Sequence, residues 1–488
     1  MTQTKDNRIR RLYTLDNLPV LRSIDSETVD LIYLDPPFNS GKKWENPIGE
    51  GNKRALASFK DTWELSDTHA DEEYALSLAY PETIPLIDAL YEINGGSWKA
   101  YLIYMGARIA EMRRILKSTG SIYYHCDPVM SHGVKLLMDA IFGGGYGKNQ
   151  KFRNEISWER TRTSKVASRY GYNHDVILFY SKTRQGIWNS PRTTVDSDSK
   201  PPSSYKKDKD GRYYRTIDVV ALPGHGGDKP MYTYKGFTPK TRWLMTLDKL
   251  EALDEQGMLV FSKTGRPYRK QYWDAHPGIP VSDIWTDIAG GGQMPKKERT
   301  DYPTQKPLAL LERIIKASSR EDDLVLDPFC GCATTCLAAE YLKRQWIGID
   351  LAEDAATLVH DRLQKEGEGL ENVTGYKVEH LRSLPKRTDL DGLRSDNAIL
   401  KPRLYKMQNK KCLGCDKETR IELMDFDHII AKIRGGQDID ENIQLHCRDC
   451  NTTKGDRGMH YLWRRILERR TEEKMREYET KRRKRAGR

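Results

Sequence analysis

Apolar and polar positions fall into two rhythms along this chain. Val29–Leu34 is a short apolar run of the kind that makes a strand buried on both faces of a parallel sheet. Trp98–Leu116 repeats its apolar residues at helical spacing, Ser121–His125 reads as another strand, and Pro128–Phe142 as a helix. From about Gln185 to Gly292 the periodicity is poor, and Lys, Arg, Gly, Pro and Tyr dominate. Alternation then resumes: a helix at Pro307–Ser319, a strand at Leu324–Leu326, a helix at Thr334–Leu342 and a strand at Trp346–Ile349. A charged linker, Ser383–Lys410, leads to a cysteine-rich module, and Tyr461–Arg488 reads as a basic helix or tail. Strands alternating with helices predict an α/β fold with a doubly wound sheet.

Composition narrows the class. The 488 residues leave room for two to three domains. A net charge of +11 favours a polyanionic partner without specifying one. Met1–Arg10 is polar and charged, unlike a secretory signal, and no apolar run is long enough to span a bilayer, so a cytoplasmic location without a membrane partner is expected. Cys412, Cys415, Cys447 and Cys450 form two Cys-x-x-Cys pairs, which suggest metal rather than disulfides.

Two turns carry candidate chemistry. Asp327-Pro328-Phe329-Cys330-Gly331 follows a strand and opens a helix, where Gly331 lets backbone approach a ligand. Asp327 can accept from the ammonium of a methionine moiety, and Asp350, ending the next strand, can bind ribose hydroxyls. The turn lacks GxGxxG, which suits a donor without phosphates; an ordinary strand–turn–helix with a capping Asp would look the same. Leu34-Asp35-Pro36-Pro37-Phe38 also follows a strand. Its prolines stiffen the loop and remove two N–H donors, so the Asp35 carboxylate and the Pro36 carbonyl can accept both hydrogens of an exocyclic amine, with Phe38 stacking on its ring. In duplex DNA such a base must be flipped out. Taken alone, this tetrapeptide is equally a stiff turn.

Together these two motifs resemble the amino-methyltransferases of bacterial restriction–modification systems and phages, in the beta-class order: catalytic motif, variable region, donor motif. The resemblance covers most of residues 12–375. Phe152–Trp158 and His174–Tyr180 look like later motifs of that class, and Tyr302-Pro303-Thr304-Gln305-Lys306-Pro307 like the loop before the donor site. It implies a circularly permuted, Rossmann-like sheet, S-adenosylmethionine as cofactor, and double-stranded DNA as partner; a homodimer is compatible with it. It adds Asp16, Thr304, Lys306, Phe329 and Thr334 to the donor-binding candidates. One departure is Ala333, where the family often has Gly, which narrows the allowed backbone. With Asp at position 35 the implied product is N6-methyladenine; N4-cytosine enzymes more often carry Ser there and are the alternative. The absence of a Pro-Cys dipeptide argues against carbon-5 chemistry. The polar insertion looks like a target-recognition region, and aromatics such as Tyr213, Tyr232, Trp243 and Trp273 argue against disorder.

The cysteine pairs signal a structural zinc. With Asp427-His428, Asn442 and Asn451 between and after them, residues 411–457 resemble the HNH nuclease module, a ββα-metal fold. By that resemblance His428 is the general base, Asn442 orients its loop, and Asp427 and Asn451 hold a catalytic divalent cation such as magnesium. A zinc ribbon that only binds DNA is the alternative. The expected organisation is a methyltransferase segment with the catalytic motif (1–184), target recognition (185–300), a methyltransferase segment with the donor motif (301–382), linker (383–410), zinc module (411–460) and tail (461–488).

Overall fold

Val-Asp-Leu-Ile-Tyr-Leu, residues 29–34, is buried at every position and lies in the middle of the main sheet. The computed structural model describes residues 8–486 except 40–41, 49–54, 145–149, 162–167, 169, 194–200, 225–227, 276–277, 291–292, 296–297, 301, 303, 352–361, 363–377 and 391–392. Pro303 of the loop before the donor turn therefore lies outside the described residues. The chain runs β1 (Arg10–Thr14), α1 (Asn17–Ser23), β2 (Val29–Leu34), β3 (Lys42–Ile48), β4 (Ala55–Asp61), α2 (Asp67–Ala79), α3 (Thr83–Asn94), α4 (Gly96–Ile115), β5 (Leu116–Cys126), α5 (Ser131–Phe142), β6 (Phe152–Glu159) and β7 (His174–Ser181). It continues through β8 (Lys206–Lys207), β9 (Tyr213–Asp218), α6 (Leu247–Glu255), β10 (Leu259–Phe261), β11 (Pro267–Tyr272), β12 (Ile284–Trp285), α7 (Leu308–Ser318), β13 (Leu324–Asp327), α8 (Thr334–Tyr341), β14 (Gln345–Asp350) and β15 (Glu379–Leu381). It closes with α9 (Asn397–Met407), β16 (Met424–His428), β17 (Ile443–Cys447), α10 (Arg448–Lys454) and α11 (Met459–Ala486).

The main sheet has the order β12-β6-β7-β5-β2-β13-β14-β1-β15. From β5 through β2, β13, β14 and β1 to β15 every pairing is parallel; only β7 runs against its neighbours β5 and β6. Consecutive tyrosines on β5 show that helices cover both faces. The Tyr123 hydroxyl meets Ser318 of α7 at 2.7 Å, whereas Tyr124 meets Tyr101 of α4 at 2.8 Å. Side chains alternate across a strand, so α4 and α7 lie on opposite sides. Strands β2 and β13, which lead into the Asp35 and Asp327 motifs, are adjacent in the sheet although almost 300 residues separate them in sequence (Val325 pairs with Leu31), as a permuted doubly wound fold requires.

Ser190–Val281 is a separate compact unit. Its antiparallel sheet, β10-β11-β9-β8, accompanies a small core of Val219, Val220, Trp243 and Leu250, with Tyr232 stacked on Trp243 at 4.7 Å. The poor periodicity of this region has a physical reason: in β9 every residue is exposed or half-exposed, so no face is apolar.

The C-terminal module is a β16–β17 pair followed by α10. The stretch read as linker contributes to it: Leu400 and Leu404 of α9 join Met424, Ile443, Leu445, Met459 and Leu462 in one core. The module lies against α1 and α2. Arg434 pairs with Asp71 at 3.1 Å, the Gly458 N–H donates to the same carboxylate, and Trp463 meets Tyr74 edge-on at 5.4 Å. Gly435, at φ +77°, runs so close to α1 that a Cβ would stand 2.6 Å from the Pro19 carbonyl oxygen. A cavity of about 240 Å³ remains between α1, α2 and the segment after His428. Among the described residues no helix is long and apolar enough to cross a membrane.

Candidate functional site

The acceptor loop leaves the C-terminal end of β2, the edge at which open α/β sheets receive ligands. Pro36 is buried, and Asp35, Pro37 and Phe38 are half-buried. Asp35 Oδ2 accepts the Lys306 ammonium, which also donates to the Thr304 carbonyl at 3.3 Å; Asp35 Oδ1 is buried with no hydrogen-bond partner. Phe38 stacks on His125 at 5.9 Å and 24°, and the Lys306 ammonium lies 5.7 Å from its ring centre. His125, wholly buried at the end of β5, is fixed by the Tyr33 hydroxyl at 2.8 Å and by Asp175 of β7 at 3.2 Å. Burial pulls the Asp175 pKa upward, but the hydrogen bond and charge of His125, with Lys306 and Arg160, outweigh it and hold the carboxyl below its ordinary range.

The donor turn follows β13. Asp327 turns inward: Oδ1 accepts the Phe329 N–H at 3.0 Å and Oδ2 the Thr335 hydroxyl at 2.5 Å. Both oxygens thus hold the turn itself, a commitment its sequence position did not reveal. Burial pushes its pKa up to about 7, Asp35 and Asp350 pushing the same way against those two hydrogen bonds. Gly331, at φ +48°, passes under Tyr302; a Cβ would stand 3.1 Å from that ring, and the Gly331 N–H donates to Asp350 at 2.9 Å. Ala333 adopts the left-handed conformation at φ 55° and ψ 37°, which costs a non-glycine residue roughly 1–2 kcal/mol. Thr334 is buried and its hydroxyl accepts from Arg362 at 2.9 Å, while Phe329 packs on the core.

Asp16 caps α1 through the Leu18 N–H. The residue that ties this segment to the donor turn is Arg108, which the sequence reading missed. Buried on α4, it donates to Asp16 at 3.0 Å, to Glu72 at 3.2 Å and to Asn17 at 2.7 Å, and Asn17 in turn donates to the Pro328 carbonyl at 2.8 Å. A charged residue inside an apolar helical stretch was the available signal.

This cradle suits a cationic donor. Asp35 and Asp350 lie close enough to Asp327 to raise its cost of ionisation, one oxygen of Asp35 is orphaned, and a glycine in the turn keeps side chains out. Such a setting would repel phosphate and attract an ammonium or sulfonium.

In the C-terminal module the four cysteine sulfurs lie within 4.8 Å of one another, the size of a tetrahedral thiolate site. His428 ends β16, with Nε2 3.3 Å from Asp438. Burial and Lys432 lower its pKa, so the imidazole is neutral near pH 7. Asn442 staples the following segment: its amide accepts from the Ile430 N–H at 2.8 Å and donates to the Ile430 and Gln437 carbonyls at 3.0 and 2.8 Å. Asp427 departs from expectation. Its oxygens are taken by Lys454 at 3.1 Å and Gln444 at 2.7 Å, and it is buried. Asn451 lies half-buried on α10. The pair expected to hold magnesium therefore does not present an open carboxylate.

Comparison with known proteins gives two family matches: residues 29–361 match the DNA methylase family and residues 412–457 the HNH endonuclease family. The type II methyltransferase M.EcaI of Enterobacter cloacae is 32% identical over 343 residues, covering 70% of this chain and 65% of that protein. The Mod subunit of the type III restriction-modification enzyme StyLTI of Salmonella typhimurium is 30% identical over 354 residues, covering 68% of this chain and 50% of that protein. The DNA adenine methyltransferase YhdJ of Escherichia coli is 24% identical over 393 residues, covering 78% and 89%. The chain thus spans between half and two thirds of the first two relatives' length.

Proposed function

We propose, from the premise that this chain belongs to the DNA methylase family and carries an HNH domain, that it transfers a methyl group from S-adenosylmethionine to N6 of adenine in double-stranded DNA. The observation that carries the reading is the adjacency of β2 and β13, which brings the Asp35 loop and the Asp327 turn to one edge of one sheet. When bound, the donor supplies an electrophilic methyl on sulfur. Asp350 would hold its ribose and Asp16 its adenine end, with Gly331 leaving room between. The flipped base would lie against Phe38, whose ring is backed by His125. Asp35 and the Pro36 carbonyl accept the two amine hydrogens, which turns the nitrogen lone pair toward the methyl. Transfer would form a carbon–nitrogen bond at the expense of the donor's carbon–sulfur bond and leave the nitrogen one proton to shed, which Asp35 would take. Asp rather than Ser at position 35 supports adenine over cytosine, and the similarity to a protein named an adenine methyltransferase agrees. Ser190–Val281 is the proposed target-recognition unit.

Asp35→Ala should lower methyl transfer by about 10³-fold or more, since it removes both a hydrogen-bond acceptor and a base. Nucleoside analysis of DNA treated with the wild type should show N6-methyladenine; N4-methylcytosine alone would overturn the base assignment.

For the HNH module we propose DNA cleavage with His428 as general base, supported by its neutral imidazole and by the Asn442 staple. A second reading, a zinc-stabilised module that binds DNA without cutting it, is favoured by the Asp427–Lys454 pair. Plasmid nicking with added magnesium separates the two.

A further inference from the structure

Lys306 occupies the place the acceptor amine needs. A target amine must present its hydrogens to Asp35, and in this structure that carboxylate already accepts an N–H from an ammonium: Lys306 meets Oδ2, while Oδ1 is buried without a hydrogen-bond partner. The ammonium is also held by the Thr304 carbonyl at 3.3 Å and lies 5.7 Å from the Phe38 ring centre, where a flipped base would stack. Both side chains are largely withdrawn from water, at 12% and 15% exposure, so the pair is screened less than a surface ion pair. An N–H donor aimed at Asp35, beside the Phe38 ring, matches an incoming amine in hydrogen-bond polarity and in position, though not in charge.

We propose that Lys306 is a stand-in for the acceptor amine and that the carboxylate end of the methyl donor draws it off Asp35, so that the acceptor pocket opens only after the donor has bound. The proposal rests on the donor assignment above. The reason is competition for one cation. Near the Asp327 turn the described charges are mostly acidic, Asp35, Asp327 and Asp350, while the buried Arg362 is engaged with the Thr334 hydroxyl and the Cys332 carbonyl. The donor's amino-acid end carries a carboxylate as well as an ammonium, and that carboxylate needs a cation among these three acids. Lys306 is tethered in the loop before the donor turn, beside Tyr302, whose ring covers Gly331. It can therefore serve Asp35 or the donor, but not both with full strength. The free protein keeps Asp35 neutralised; the donor-bound protein exposes it as the acceptor the amine requires. The apparent affinity for the donor is reduced by the fraction of time Lys306 spends on Asp35.

The sign of one mutational effect tests this without DNA. Calorimetric titration with S-adenosylmethionine is run on the full chain as wild type, Asp35→Asn, Lys306→Gln and the double variant, each first checked for an unchanged thermal transition. Asp35→Asn should bind the donor tighter by roughly tenfold, because Lys306 is released from its competitor. Lys306→Gln should bind it weaker by roughly tenfold, the usual loss when a charged hydrogen-bond donor is removed. In the Lys306→Gln background, Asp35→Asn should have no further effect. Weaker donor binding by Asp35→Asn would show that Asp35 itself holds the donor ammonium and would overturn the proposal, as would unchanged binding. These titrations stand apart from the identity of the methylated base: a wild type that binds the donor but yields no methylated adenine would refute the proposed function while leaving the Lys306 competition measurable.

Discussion

Asp327→Asn isolates a charge that the donor turn is built to keep neutral. In the folded chain this carboxyl titrates at about 7 rather than near 3.8, because it is buried and faces Asp35 and Asp350, and the hydrogen bonds from Thr335 and Phe329 only partly offset that. The folded state thus holds a proton that the unfolded chain gives up near pH 4. The contribution is fully present below the ordinary carboxylate range and is lost as pH rises through about 7. Going from 3.8 to about 7 corresponds to roughly 4 kcal/mol, at about 1.4 kcal/mol per tenfold. Asn is neutral throughout. It keeps the Phe329 N–H on its oxygen and obliges the Thr335 hydroxyl to turn from donor to acceptor, at a cost of about 1 kcal/mol. Urea unfolding of both proteins between pH 4 and pH 8 should show the wild type losing stability relative to the variant by an amount on the order of 4 kcal/mol, most of it by pH 7. Saturating donor should shrink that difference, since a bound ammonium favours the ionised carboxylate. A difference that stays flat with pH would refute the reasoning, because Asp327 would then be ionised in the fold as it is in the unfolded chain.

Two further outcomes are expected. Cys412→Ser should abolish the single zinc detected by metal analysis of the wild type while methylation survives, since the four thiols lie together and far in sequence from the donor turn; unchanged zinc content would sink the assignment. His428→Ala should reduce nicking of unmethylated plasmid in magnesium by about 10²-fold or more, with pre-methylated plasmid spared by the wild type. A wild type that leaves unmethylated DNA of many sequences intact would favour the DNA-binding reading, and equal cutting of both substrates would break the link to methylation while leaving the nuclease.

What could be read from sequence was whatever repeats locally. β2, α4, β5, α5, α7, β13, α8 and β14 all follow periodic or unbroken apolar stretches and lie within a few residues of where the pattern placed them. The two-residue strand β12 and the edge strand β15 carry no such signal, because two or three residues cannot display a period. Helix α9 was hidden in a stretch read as linker: Pro402 lies inside it, and only Leu400 and Leu404 are buried. At the candidate site the residues proposed to touch ligand were read as motifs. Their partners were not. Arg108, His125 and Asp175 act through contacts made across 36 to 92 positions in the chain, which no local pattern encodes. Asp427 shows the converse: its place beside His428 was visible, but the Lys454 that neutralises it comes 27 positions later, from the next helix.

The way the HNH module sits on the chain bears on how such fusions can be rearranged. The first cysteine pair marks an obvious seam at residue 412, yet a cut there would strip α9 from its core and leave Leu400 and Leu404 without cover. A cut ahead of α9 would still expose Asp71, deprived of Arg434 and of the Gly458 N–H, and would uncover the Pro19 carbonyl against which Gly435 rests. The HNH module therefore does not behave as a detachable bead. An exchange of modules between chains of this kind would need to carry the matching faces of α1 and α2 with it, and so a portion of the methylase domain.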